Sequence, residues 1–129
     1  MNPRVLLVRD RLQGAAPWMS QVLREAGMSV RTISGTELAD AARSDVLLLH
    51  LPDRDAVATC WSLHRQGHRS VIAVSGAASS KECIRLLNAG ADYYLDAWLP
   101  AAELVARVRV VLRFTAWLDE RPAIVRTAS

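Results

Sequence analysis

Residues 71–96 read VIAVSGAASSKECIRLLNAGADYYLD, and this stretch decides the fold. Val71-Ile-Ala-Val74 is a four-residue apolar run, the pattern of a strand buried on both faces. Ser79 or Ser80 then begins a helix that carries Cys83, Ile84 and Leu87 and stops at Gly90. Tyr93 to Asp96 makes a short strand. A strand, a helix and a strand joined by short connections put the two strands parallel, with a right-handed crossover between them.

The same unit repeats in both directions. Upstream, Val46-Leu-Leu-Leu49 is a strand and Pro52-Asp-Arg-Asp55 a turn-rich loop. Val57, Cys60, Trp61 and His64 mark one face of the helix that follows, closed by Gly67. Val5-Leu-Leu-Val8 is the first strand. Pro17 sits in the first turn of a helix carrying Trp18, Val22, Leu23 and Ala26, which ends at Gly27. Met28 to Ile33 alternates like a strand, and Thr36 caps a short helix through about Ala42. Downstream, Pro100 opens the last helix, whose inner stripe is Leu104, Val105, Val108, Val111 and Leu112. After Trp117 the pattern dissolves, so residues 1–118 form one domain and 119–129 a linker or tail.

Five strands alternating with five helices predict an α/β domain with a doubly wound, five-stranded parallel sheet of flavodoxin-like order 2-1-3-4-5. In such sheets function sits at the carboxyl ends of the strands. Here those ends are Arg9-Asp10, His50, Ser75-Gly76 and Asp96-Ala97-Trp98.

Composition narrows the classes. The chain has 129 residues, 51% of them hydrophobic and 22% charged, which fits one domain that needs no disulfide or metal staple. No apolar run approaches the roughly 18 residues of a membrane span, and the start is not a secretory signal. Cys60 and Cys83 have no metal spacing and read as small buried thiols, which places the chain in a reducing cytoplasm. The net charge of +3 comes from scattered arginines, with Lys81 the sole lysine, so the chain itself is not expected to bind nucleic acid. A glycine-rich phosphate loop and a catalytic constellation are both missing from the sequence, so no enzyme activity and no cofactor are expected.

In these residues the chain resembles the receiver domains of two-component response regulators, over about residues 4 to 114. The most specific segment is Asn88-Ala-Gly-Ala-Asp-Tyr-Tyr-Leu95, followed by Glu103-Leu-Val-Ala-Arg-Val-Arg109 through Arg113. Those segments look like the winged-helix, OmpR-like subfamily, in which a DNA-binding domain follows the receiver. The resemblance implies phosphoryl transfer to an aspartate after strand three, with Mg²⁺ held by two carboxylates after strand one and a lysine after strand five. This chain departs at most of these points. The acidic pair is Arg9-Asp10. The acceptor position falls on His50 counting from Asp45, or on Leu48 counting back from Pro52, because the loop looks two residues short. The lysine position is Ala97, and Trp98 follows it. Asp10 remains, with Ser75 at the switch-hydroxyl position and Tyr94 at the switch-aromatic position.

One carboxylate cannot supply the oxygen shell of Mg²⁺, and Arg9 repels the metal. The expected pocket is therefore degenerate, with Arg9 paired to Asp10, His50 neutral and hydrogen-bonded, and Trp98 and Tyr94 packed into the vacated space. Alternatives at these positions are a pH-sensing or phosphoryl-accepting His50, replacement carboxylates from Asp53 and Asp55, an anion at Ser75-Gly76, and a ligand lined by Trp98 and Tyr94. His64 and His68 do not cluster as ligands.

The subfamily resemblance also implies a homodimer on the fourth helix, fifth strand and last helix. Its candidate contacts are Ile84, Leu87, Asp92, Glu103, Arg107 and Arg109, while Tyr93 and Phe114 stand where the subfamily has charges. The expected function is a phosphorylation-independent regulatory domain that dimerises to control a DNA-binding output outside this chain. A stand-alone protein-interaction adaptor, or a ligand-sensing receiver-like domain, is the alternative.

Overall fold

The computed structural model describes residues 3–9, 17–34, 44–51, 56–68, 70–76 and 79–120. Each apolar run becomes a strand: β1 (Arg4–Arg9), β2 (Ser29–Ser34), β3 (Val46–His50), β4 (Val71–Ser75) and β5 (Tyr93–Asp96). They form one sheet of order β2-β1-β3-β4-β5, parallel at every pairing, as the sequence predicts. The described helices are α1 (Pro17–Glu25), α2 (Ala56–Arg65), α3 (Ser80–Asn88) and α4 (Ala101–Glu120). The helix expected over 36–42 and the loop at 52–55 lie outside the described residues, so α3 and α4 are the helices counted fourth and last above. No helix among the described residues is long and apolar enough to cross a membrane.

Side chains alternate across each strand, so the continuous apolar runs feed two layers. Val5, Leu7, Val46, Leu48, Ile72 and Val74 meet Met19 and Leu23 of α1 and Leu104, Val108 and Val111 of α4. Leu6, Val8, Leu47, Leu49, Val71 and Ala73 meet Cys60 and Leu63 of α2 and Leu86 of α3. Burying one such side chain contributes about 1.5–3 kcal/mol, so the two layers supply most of the driving force. Burial also pushes the Cys60 thiol up to about 11, with the charge of Asp92 adding to the shift, which keeps it protonated and inert.

The helix faces differ in detail from the sequence reading. In α2 the buried residues are Cys60 and Leu63, while Trp61 and His64 lie exposed with their rings stacked 6.1 Å apart. In α3 the inward residue is Leu86, with Cys83 half-buried, whereas Ile84 and Leu87 are 59% and 42% exposed. The cause is the end of the helix. Gly90, at φ +116°, packs so closely on α2 that a Cβ there would lie 2.6 Å from the Cβ of His64. That approach fixes the rotation of α3 and turns its Cys83–Leu86–Ala89 line to the sheet. Ser79 caps α3, its hydroxyl accepting a hydrogen bond from the Glu82 amide at 3.4 Å. The last helix runs to Glu120, two residues past the boundary drawn from hydropathy.

Candidate functional site

Parallel pairing brings the carboxyl ends of the strands to one edge, and register settles which residues meet there. Arg9 lies opposite His50 across β1 and β3, while Leu48 lies opposite Leu7 inside the sheet and is 0% exposed. The end of β3 is therefore His50, and the Leu48 alternative is a core position. Ser75 lies opposite Asp96 across β4 and β5, and the Ala97 amide donates to the Ser75 carbonyl at 2.9 Å. His50, Ser75 and Ala97 thus share one edge with the backbone of Arg9. Asp10, Asp53 and Asp55 lie outside the described residues, and with them the expected Arg9–Asp10 pair.

His50 is half-buried, and its Nδ1 is buried without a hydrogen-bond partner among the described residues. Burial holds its pKa below the usual imidazole value, so it is neutral near pH 7. Neutrality fits the expectation; the expected hydrogen bond is not made at Nδ1 among the described residues. The Tyr94 ring packs against the α2/α3 layer, and its buried hydroxyl also has no partner among the described residues.

Trp98 does not fill the vacated space as expected: it is 78% exposed. The Asp96 carboxylate accepts from the Trp98 amide at 2.9 Å, which forms a tight turn and aims the side chain outward. There the indole N–H donates to the Gly76 carbonyl at 3.3 Å, bridging the loops after β4 and β5.

One feature was not read from the sequence. A cavity of about 370 Å³ opens beside His50, between β3, β4 and the inner faces of α2 and α3. Leu49, Leu51, Ala73 and Leu86 form its apolar wall, with His50 and Glu82 as ionisable groups. The signals were small residues, Ala56 and Ala73, at wall positions. Chemically this edge presents an imidazole at His50, a hydroxyl at Ser75 and a methyl at Ala97.

The proposed interface residues divide. Ile84 and Leu87 are exposed on α3. Glu103 and Arg107 are exposed on α4 but paired with each other, 2.9 Å apart. Asp92 accepts from the Val71 amide at 2.8 Å, so its carboxylate clamps the start of β4 rather than standing free. Arg109 departs from the expectation. It donates to the Ala26 carbonyl beside α1 at 3.3 Å, on the opposite flank of α4 from Glu103 and Arg107. Helical spacing explains this, since Arg107 and Arg109 stand about 200° apart around the axis. Spacing adds Val110 and Phe114 to the Glu103–Arg107 stripe, and both are exposed.

No family model matches the chain. It is 40% identical over 83 residues to the transcriptional regulatory protein CseB of Streptomyces coelicolor, covering 63% of this chain and 36% of CseB. It is 32% identical over 115 residues to the sensory transduction protein RegX3 of Mycobacterium bovis, covering 84% of this chain and 50% of RegX3. Among solved structures, the receiver domain of Francisella response regulator 1452 superposes with a TM-score of 0.75 at 26% identity. That match covers 88% of this chain and 99% of the Francisella domain. This chain is a response-regulator receiver domain. The receiver spans half or less of the length of CseB and RegX3.

Proposed function

We propose that this receiver regulates without aspartyl phosphorylation, as the dimerising domain of an atypical response regulator whose DNA-binding output lies outside this chain. The observation that carries the reading is the register that puts His50 at the end of β3, opposite Arg9. The position that would accept the phosphoryl group is a desolvated neutral imidazole beside an arginine, and Ala97 stands where a lysine would pair with the product. The domain on this reading is not an enzyme, needs no metal and works in the cytoplasm.

The output role follows from the relatives named as a transcriptional regulatory protein and a sensory transduction protein, with the OmpR-like charge pattern of α4. The dimer is two-fold and uses α3, β5 and the Glu103–Phe114 stripe of α4. Its centre is apolar: Ile84 and Leu87 of α3 and Val110 and Phe114 of α4 are exposed. Arg107 serves at the rim, and Arg109 and Asp92 hold the fold. Sedimentation velocity of the chain, with and without acetyl phosphate and Mg²⁺, tests this. The expected result is the same dimer in both conditions. A monomer that dimerises only with acetyl phosphate overturns it, and a monomer in both at high micromolar concentration favours the adaptor.

A further inference from the structure

We infer that the Ser70–Thr115 hydroxyl pair pins the end of α4 to the amino edge of the sheet and so holds the stacked Phe114 and Trp117 rings in place for a partner. Its role in binding a partner rests on the dimer proposed above. Past Val111 no described side chain of α4 is buried: Leu112 and Thr115 are half-buried, and Arg113, Phe114, Ala116 and Trp117 are exposed. Apolar burial therefore weakens before these rings, and a helix end without tertiary contacts is marginal in water. Thr115 supplies a polar contact instead. Its hydroxyl donates to the Val111 carbonyl at 2.9 Å, so it accepts from the hydroxyl of Ser70, the residue before β4.

Ser70 is shaped for this bond. Among the described residues it is the one polar residue buried as a whole, at 7% exposure, and the one residue other than glycine with a left-handed backbone, at φ +62°. That conformation is unfavourable for a residue with a Cβ and persists only where the surroundings fix it. Here both flanks do so. The Ser70 carbonyl accepts from the Leu47 amide at 3.1 Å, and the next amide, that of Val71, donates to the Asp92 carboxylate at 2.8 Å. The sheet thus holds the Ser70 hydroxyl in place, and it loses little freedom on bonding α4. One neutral hydrogen bond shifts a local equilibrium about fivefold, which takes a helix end from about half helical to about four-fifths.

The test uses the full chain with Thr115→Val, Thr115→Ser, Ser70→Ala and Ser70→Gly, read by the ¹³Cα shifts of Ala116 and Trp117 in dilute solution and by sedimentation equilibrium. Valine matches threonine in shape and helix propensity, and serine restores the hydroxyl. Helical population at 116–117 should fall from about four-fifths to about half in Thr115→Val, Ser70→Ala and Ser70→Gly, with Leu104 and Val108 unchanged. Thr115→Ser should stay near the unaltered chain. Dimer affinity should fall about threefold in the same three variants, because each of the two chains must reorder its end. Ser70→Gly separates the pin from folding. It removes the backbone cost along with the hydroxyl, so it should resist urea better than Ser70→Ala while losing the pin equally. Unchanged shifts in Thr115→Val, a helix end kept in Ser70→Gly or lost in Thr115→Ser, a Ser70→Gly chain less stable than Ser70→Ala, or a frayed end with unchanged dimer affinity overturns the inference. An unaltered chain that stays monomeric at high micromolar concentration breaks the dimer reading instead, and the shifts then decide the pin alone.

Discussion

Truncating Phe114 to alanine separates an apolar dimer from one held by charge. Phe114 is 46% exposed and stacks on Trp117 with ring centroids 5.7 Å apart. A phenylalanine presents roughly 200 Å² when free, which leaves about 90 Å² for a partner. At ~25 cal/mol per Å² that burial contributes about 2 kcal/mol from each chain, or about 4 kcal/mol for a two-fold dimer. Ordering the ring and the area kept by alanine reduce the net loss to about 2–3 kcal/mol, a weakening of roughly 30- to 150-fold. Arg107→Glu should do less. An exposed ion pair is worth about 0–1 kcal/mol, and Arg107 already spends its charge on Glu103 within the chain. Sedimentation equilibrium over a concentration series measures both variants. The reasoning fails if Phe114→Ala leaves dimer affinity unchanged, or if Arg107→Glu weakens it more.

Two further substitutions test how the edge is built. Gly90→Ala should cost more than about 1 kcal/mol in urea denaturation, because it meets both an unfavourable φ and the Cβ of His64 at 2.6 Å. Gly27→Ala, at φ +91° with open space around it, should lose only about 1 kcal/mol. His50 gives a pH dependence. Its folded pKa lies below the unfolded value of about 6.5, so the unfolded chain binds more protons between the two. Stability should therefore be full above pH ~6.5 and fall as pH drops through the folded pKa. The His50→Leu variant should lose less stability over that interval, and a parallel loss in both proteins would show that His50 is not the group responsible.

The architecture was legible because a parallel sheet writes its strands as continuous apolar runs, and Val5–Val8, Val46–Leu49 and Val71–Val74 admit few other readings. The strand ends follow from topology, which puts His50, Ser75 and Ala97 at one edge. Helix rotation was not legible. Cys83, Ile84 and Leu87 lie close enough on a helical wheel to suggest a common face, yet the contact of Gly90 with His64 turns Leu86 inward instead. The same holds for charges. Arg107 and Arg109 are neighbours in the sequence but sit on opposite flanks of α4, and Asp92 is claimed by a backbone amide that only the folded sheet brings near. Trp98 was misplaced because a turn set by Asp96, rather than apolar affinity, directs it outward. The cavity beside His50 is a gap between side chains, which no spacing rule encodes.

The central claim, that this receiver does not accept a phosphoryl group, is tested most directly by intact-mass measurement of the chain after incubation with acetyl phosphate and Mg²⁺. The expected spectrum is that of the unmodified chain. His50→Asp alone should give the same spectrum, because position 50 still pairs in register with an arginine, Arg9, and Ala97 still lacks the ammonium that would pair with the product. A stoichiometric, Mg²⁺-dependent gain of one phosphoryl group on the unaltered chain would contradict the account.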